Sequence, residues 1–188
     1  MALRIMTLAA ILAVAGRAAE PQHTLKVCMT IPLSHPAWAY TGKARAVAGE
    51  ILRDADVAVL WKSAGRNCVH DRASIMVQMK DGTPPNASTS AVARTYPYGS
   101  AVVEVYMNRL ADGRGERLGP LLGHVIAHEI GHKLEGVARH SAQGVMKASW
   151  SDEEQREMNI RPLRFAAEDI DLIRNGIEER ERSLNDQD

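Results

Sequence analysis

His124-Val-Ile-Ala-His128-Glu129-Ile-Gly-His132-Lys-Leu-Glu-Gly136-Val-Ala-Arg-His140-Ser-Ala-Gln-Gly-Val-Met146 is the stretch from which the fold can be read. It contains His-Glu-x-x-His. In an α-helix, residues four apart lie about 40° apart around the axis and one turn above each other. His128 and His132 therefore aim their imidazoles at one point, as two ligands of a tetrahedral Zn²⁺ must. Glu129, beside the first of them, reaches a water at that point without being a ligand, the place of a general base in metal-assisted hydrolysis. Leu121, Leu122, Val125, Ile126 and Ile130 give the helix its core side. Gly136 stands where the helix can stop, because glycine accepts the left-handed conformation at a C-terminus. The chain can then turn and return His140 as a third nitrogen ligand. Three protein ligands and one open position describe a catalytic zinc site; four describe a structural one.

This run resembles the metzincin clan of zinc endopeptidases: His-Glu-x-x-His, then Gly, then His, then a nearby Met. The His140-Ser141 pair and the short run to Gly144-Val-Met146 resemble the matrixin branch most. Gly136 falls four residues after His132 and His140 eight after it, so this chain carries two residues more than the usual clan spacing. The resemblance implies an α+β fold. Its twisted, mostly parallel five-stranded sheet would carry one antiparallel edge strand, a packing helix, an active-site helix and C-terminal helices. It implies Zn²⁺ on His128, His132 and His140, Glu129 as catalytic base, Met146 as a hydrophobic floor beneath the metal, and a peptide or protein substrate. It also places Ala93-Arg-Thr-Tyr-Pro97 on the edge strand bordering the cleft, and Lys147 to Trp150 along the pocket beside the scissile bond.

Other readings compete at single residues. Glu153 or Glu154 is a rival third ligand, although Ser151-Asp-Glu-Glu154 already makes sense as a capping-box helix start. His124 shares the stripe of His128 but lies about 12 Å along the axis from the level of His132, which makes it a packing residue. Lys147 is either an exposed lysine or a contact for an acidic substrate side chain. At the level of the whole chain, the alternative to an endopeptidase is a zinc-stabilised binding domain without turnover. A hydrolase of some other substrate is a further one.

The 188 residues are 45% hydrophobic and suffice for one domain with a real core, expected over 20–188. Aromatic residues make up only 4%, with a single Phe, so aliphatic side chains must fill that core. The formal net charge is zero, which gives no pull toward nucleic acid or an anionic membrane. Arg4, the apolar run Ile5 to Ala15 and the small residues after it read as a signal peptide over 1–19, so the mature chain is expected to be secreted or periplasmic, soluble and monomeric. Export would let Cys28 and Cys68 pair and close a loop of about 40 residues. Two separate buried thiols, or Cys28 capping the zinc in a latent form, are the other readings.

Taken in order, Leu25 to Ile31 alternates as a first strand, and Trp38 to Ala55 repeats apolar residues at helical spacing. Val57 to Trp61 is a second strand, parallel to the first through a right-handed crossover. Ala73 to Met79, Ala91 to Tyr96 and Ala101 to Met107 are three more strands. The active-site helix starts near Leu118 to Leu121. A last helix runs from Phe165 to about Arg182, with Phe165, Ile170, Ile173 and Ile177 on its apolar stripe and Asp169 and Glu178 on wetter faces.

Overall fold

The computed structural model describes residues 21–30, 36–65, 68, 71–111 and 114–186. The signal peptide expected over 1–19 lies outside the described residues. Five strands form one sheet: β1 (His23–Thr30), β2 (Val57–Ser63), β3 (Ser74–Lys80), β4 (Ala93–Thr95) and β5 (Val102–Tyr106), in the order β2-β1-β3-β5-β4. β1 pairs in parallel with β2 and β3, and β3 in parallel with β5. β4 runs antiparallel to β5 and forms the sheet's edge. The α+β architecture is therefore the one the resemblance implied, including the antiparallel edge.

Side-chain alternation explains which face of the sheet is covered. Leu25, Val27 and Met29, then Ile75, Val77 and Met79, then Val103 and Val105 are buried at two-residue intervals, all in one core. A 3₁₀ turn over Pro36–Tyr40 leads into α1 (Thr41–Arg53). Its buried residues Ala44, Val47, Ala48, Ile51 and Leu52 follow the i, i+3, i+4, i+7, i+8 spacing of a helix lying on a core. After β5, the chain makes a one-turn helix, α2 (Met107–Leu110), that the reading of Met107 as a strand end had missed. Met107 and Leu110 are both buried there.

The longest buried element is α3 (Leu118–Glu135), in which every residue is buried. α1 packs on one of its flanks and α5 (Ala167–Asn185) on another. A short helix, α4 (Asp152–Glu157), begins with the capping box foreseen at Ser151: the Glu154 N–H donates to Ser151 Oγ and the Ser151 N–H donates to the Glu154 carboxylate. Two expectations about the last helix change. Phe165 precedes it and packs in the core as part of an extended segment. Asp169, read as a wet-face residue, is fully buried. Among the described residues, no helix is long and apolar enough to cross a membrane.

Cys28 points to the face of the sheet opposite Val27 and Met29 and is bonded to Cys68, at a sequence separation of 40. The bond ties β1 to the β2–β3 connection. Closing a loop of that length removes enough freedom from the unfolded chain to contribute about 4 kcal/mol. Replacing both cysteines by serine is expected to lower the free energy of unfolding by that order, measured by urea denaturation. An unchanged midpoint would show that the bond is dispensable.

Candidate metal centre

α3 ends at Gly136, which takes the left-handed conformation (φ 65°) and donates its N–H to the His132 carbonyl. The chain reverses there; of the two residues beyond the usual clan spacing, one lengthens α3 before Gly136 and the other falls in the turn that brings His140 back. One ligand nitrogen from each of His128, His132 and His140 lies within 4.8 Å of the others. His128 Nε2 and His132 Nε2 are 3.1 Å apart. The His140 ring stands 5.3 Å from that of His128 and 5.0 Å from that of His132. His128 and His132 are buried, whereas His140 is exposed. Among the described residues these three form the only such cluster; Glu153 and Glu154 are not part of it.

Hydrogen bonds orient the rings. His128 Nδ1 donates to the Val145 carbonyl at 2.9 Å, which leaves Nε2 with a free lone pair. The His132 Nδ1 is buried beside the Val137 carbonyl, at a geometry too poor for a full hydrogen bond. Burial pushes both imidazoles down to about 4, the neighbouring histidines adding to the effect, so both are neutral at pH 7. With His128 Nδ1 protonated, His128 Nε2 accepts across this 3.1 Å from His132 Nε2–H in the metal-free protein, and a cation held between the two nitrogens would replace that proton. Tetrahedral ligands at the usual zinc–nitrogen length of about 2.0–2.1 Å are about 3.3 Å apart, close to this spacing. The donor set therefore fits a zinc ion.

Glu129 lines the cavities on both sides of the histidines. Burial raises its carboxyl to about 8. Met146 is fully buried, and α3 lets it approach only because residue 131 is glycine: a Cβ there would stand 2.6 Å from the Met146 sulfur. His124 serves elsewhere. Its Nδ1 donates to the Pro120 carbonyl at 2.8 Å and its Nε2 accepts the Leu163 N–H at 2.9 Å, so it fastens α3 to the segment before α5.

Asp169, Arg139 and Lys133, none of which the sequence marked as part of the site, hold this arrangement. Asp169 accepts from Arg139 Nη2 at 2.7 Å and from Ser141 Oγ, gripping the residues on either side of His140. Its second oxygen accepts the Ala166 N–H at 2.9 Å, which anchors the grip on the start of α5. Arg139 also lies 3.8 Å from Glu135, a buried carboxylate that burial and the nearby Asp169 raise to about 7. Lys133, next to His132, donates to the carbonyls of Tyr96, Pro97 and Ser100, fixing the turn after β4 against α3. No local pattern marks these residues, because each depends on partners more than 25 residues away or on another element.

No family model and no curated protein matches the sequence. Among solved structures, the chain is similar to archaemetzincin from Methanopyrus kandleri, with a TM-score of 0.55, 15% identity, and coverage of 83% of this chain and 96% of that one. The fold is metzincin-like. A second archaemetzincin, from Archaeoglobus fulgidus and complexed with malonate, aligns with a TM-score of 0.47, 16% identity, and coverage of 80% of this chain and 99% of that one. These likenesses are to archaemetzincins, and the matrixin branch gains nothing from them.

Two outcomes are expected. In the metal-free protein, His128 and His132 have folded pKa values of about 4 against an ordinary 6.5. The unfolded chain then binds protons that the folded one refuses. Stability conferred by these two groups is complete above about pH 6.5 and lost as pH falls toward 4. Thermal melts of the apoprotein across that range should show the drop; a flat profile would contradict it. Asp169→Asn weakens the hydrogen bonds to Arg139, Ser141 and Ala166 while Glu135 and Glu168 remain beside Arg139, and is expected to cost about 1–3 kcal/mol in denaturant unfolding. Arg161→Ala, which breaks an exposed pair with Glu157, should cost less than about 1 kcal/mol.

Proposed function

We propose that this chain is a secreted zinc-dependent endopeptidase, with His128, His132 and His140 as the metal ligands and Glu129 as the general base. The observation that carries the reading is the convergence of three imidazole nitrogens within 4.8 Å, with a desolvated carboxylate beside them in an open cleft. A bound zinc ion supplies Lewis acidity: it polarises a peptide carbonyl and lowers the pKa of water toward 7.

The chain's own residues do the rest. Burial holds the Glu129 carboxyl at about 8 in the metal-free protein; a cation on the histidines would favour its ionised form, which is placed to accept the proton of the attacking water and pass it to the leaving amine. β4 leaves one side of its backbone unpaired at the sheet edge, and Ala93 to Thr95 line the cleft together with the three histidines. A substrate strand can pair with that edge, which holds an extended peptide across the site. Lys133 keeps the edge in place through the three carbonyls it binds. The export part of the proposal is supported by the N-terminal pattern and by the Cys28–Cys68 bond, which persists in oxidising compartments.

Glu129→Gln tests the assignment. The variant is expected to bind zinc with the parental stoichiometry while peptide hydrolysis falls about 10²–10⁴-fold. It should also lose a pH dependence of the metal-free protein. A carboxyl whose folded pKa is raised from 4.5 to about 8 lowers stability as pH climbs through that interval, and an amide there does not. Hydrolysis at the parental rate would remove Glu129 from the mechanism.

A further inference from the structure

A cavity of about 420 Å³ opens beside His128 and Glu129 and runs between the approach to β4 and the segment 147–150. Val92, Leu121, Val125 and Trp150 give it apolar walls. Arg114, Leu121 and Gln155 line it and also line an adjoining cavity of about 270 Å³ that touches none of the histidines. They therefore mark the end of the first cavity remote from the site. Glu129 is the only acid lining that cavity among the described residues, against two permanent cations, Arg114 and Lys147.

The two cations differ in what already holds them. Lys147 Nζ donates to both carboxylate oxygens of Glu154 at 2.7 Å, so its charge is matched within the fold. Arg114 donates from Nη1 to the neutral Gln155 Oε1 at 2.8 Å, and its Nε is buried with no acceptor. No ion pair to Arg114 occurs among the described residues. A guanidinium presents donors in a rigid fork that matches a carboxylate, and a buried donor without a partner is costly to leave so. The tether to Gln155 holds Nη1 of the guanidinium beside the cavity, and no carboxylate among the described residues is paired with it.

We propose that this cavity is a specificity pocket for a glutamate side chain of the peptide substrate, with Arg114 as the residue that recognises the carboxylate. The proposal rests on the peptidase reading above and names the substrate class of that same site. Apolar walls suit the methylene stem, and the charge at the remote end favours glutamate over the shorter aspartate. The bond cut is the one flanking that glutamate, since the cavity begins at Glu129 and His128.

Unbiased cleavage of a mixed peptide library by the zinc-loaded protein tests this. Wild type is expected to enrich Glu over Gln at one position next to the cleaved bond by about 10–100-fold, the range for a charge-assisted hydrogen bond. Arg114→Gln should bring the ratio to within about 2-fold, and Arg114→Glu should turn it toward Lys and Arg. Gln155→Ala, which frees the guanidinium from its tether, should reduce the ratio several-fold; thermal melts of each variant confirm folding. Cleavage without a Glu preference, or a preference that survives Arg114→Gln, overturns the pocket assignment and leaves the peptidase reading standing. If the library stays intact, the peptidase reading fails, and binding decides the pocket. A blocked hexapeptide bearing one Glu, titrated against Trp150 fluorescence, should bind at least about 10-fold tighter than its Gln counterpart and lose that advantage in Arg114→Gln. Equal binding, or none, overturns it.

Discussion

A helix buried along its whole length ends on two imidazoles whose Nε2 atoms face each other at 3.1 Å. Such a helix would normally be apolar all round. Here its last turns carry polar groups that the surroundings must satisfy or neutralise. Much of the neighbouring structure answers that demand. Val145 accepts from one ring, Gly131 lets the Met146 sulfur pack against the helix, and Gly136 turns the chain so that the third ring comes back. The rings stay neutral because burial disfavours their protonated forms, which keeps their lone pairs free at neutral pH.

The exposed member of the trio is secured differently. His140 lies on a loop, and a loop side chain is only as well placed as its neighbours. Asp169 grips Arg139 and Ser141 and is itself fixed to the start of α5, so the position of the third ligand is set by the C-terminal helix. The cleft edge has its own clasp in Lys133, whose amine is spent on three carbonyls of the turn after β4. Fold, site and sheet edge are thus coupled through α3, which touches all of them.

What the sequence revealed follows from how local each signal is. Two-residue alternation marked β1 and β3, and helical spacing marked α1, because burial on one face repeats within a single element. His128, Glu129 and His132 were legible because four-residue spacing on a helix is itself a geometry. His140 needed more, since its placement depends on a turn, and the resemblance to metzincins supplied what spacing could not. Asp169 looked like an acid at a helix start, which it is; that its side chain faces inward depends on Arg139, 30 residues away. Arg114 stayed silent for the same reason, its partner Gln155 being 41 residues on. Met107 was read as the end of a strand because an apolar run shows no boundary where a strand becomes a helical turn.

The central claim is that His128, His132 and His140 share one divalent ion. Zinc-edge X-ray absorption of the zinc-loaded protein reads the donor set directly. The account predicts one zinc per chain, three imidazole nitrogens at about 2.0–2.1 Å and one further light-atom donor. A spectrum with two imidazoles, with sulfur, or unchanged when His140 is replaced by alanine would contradict it.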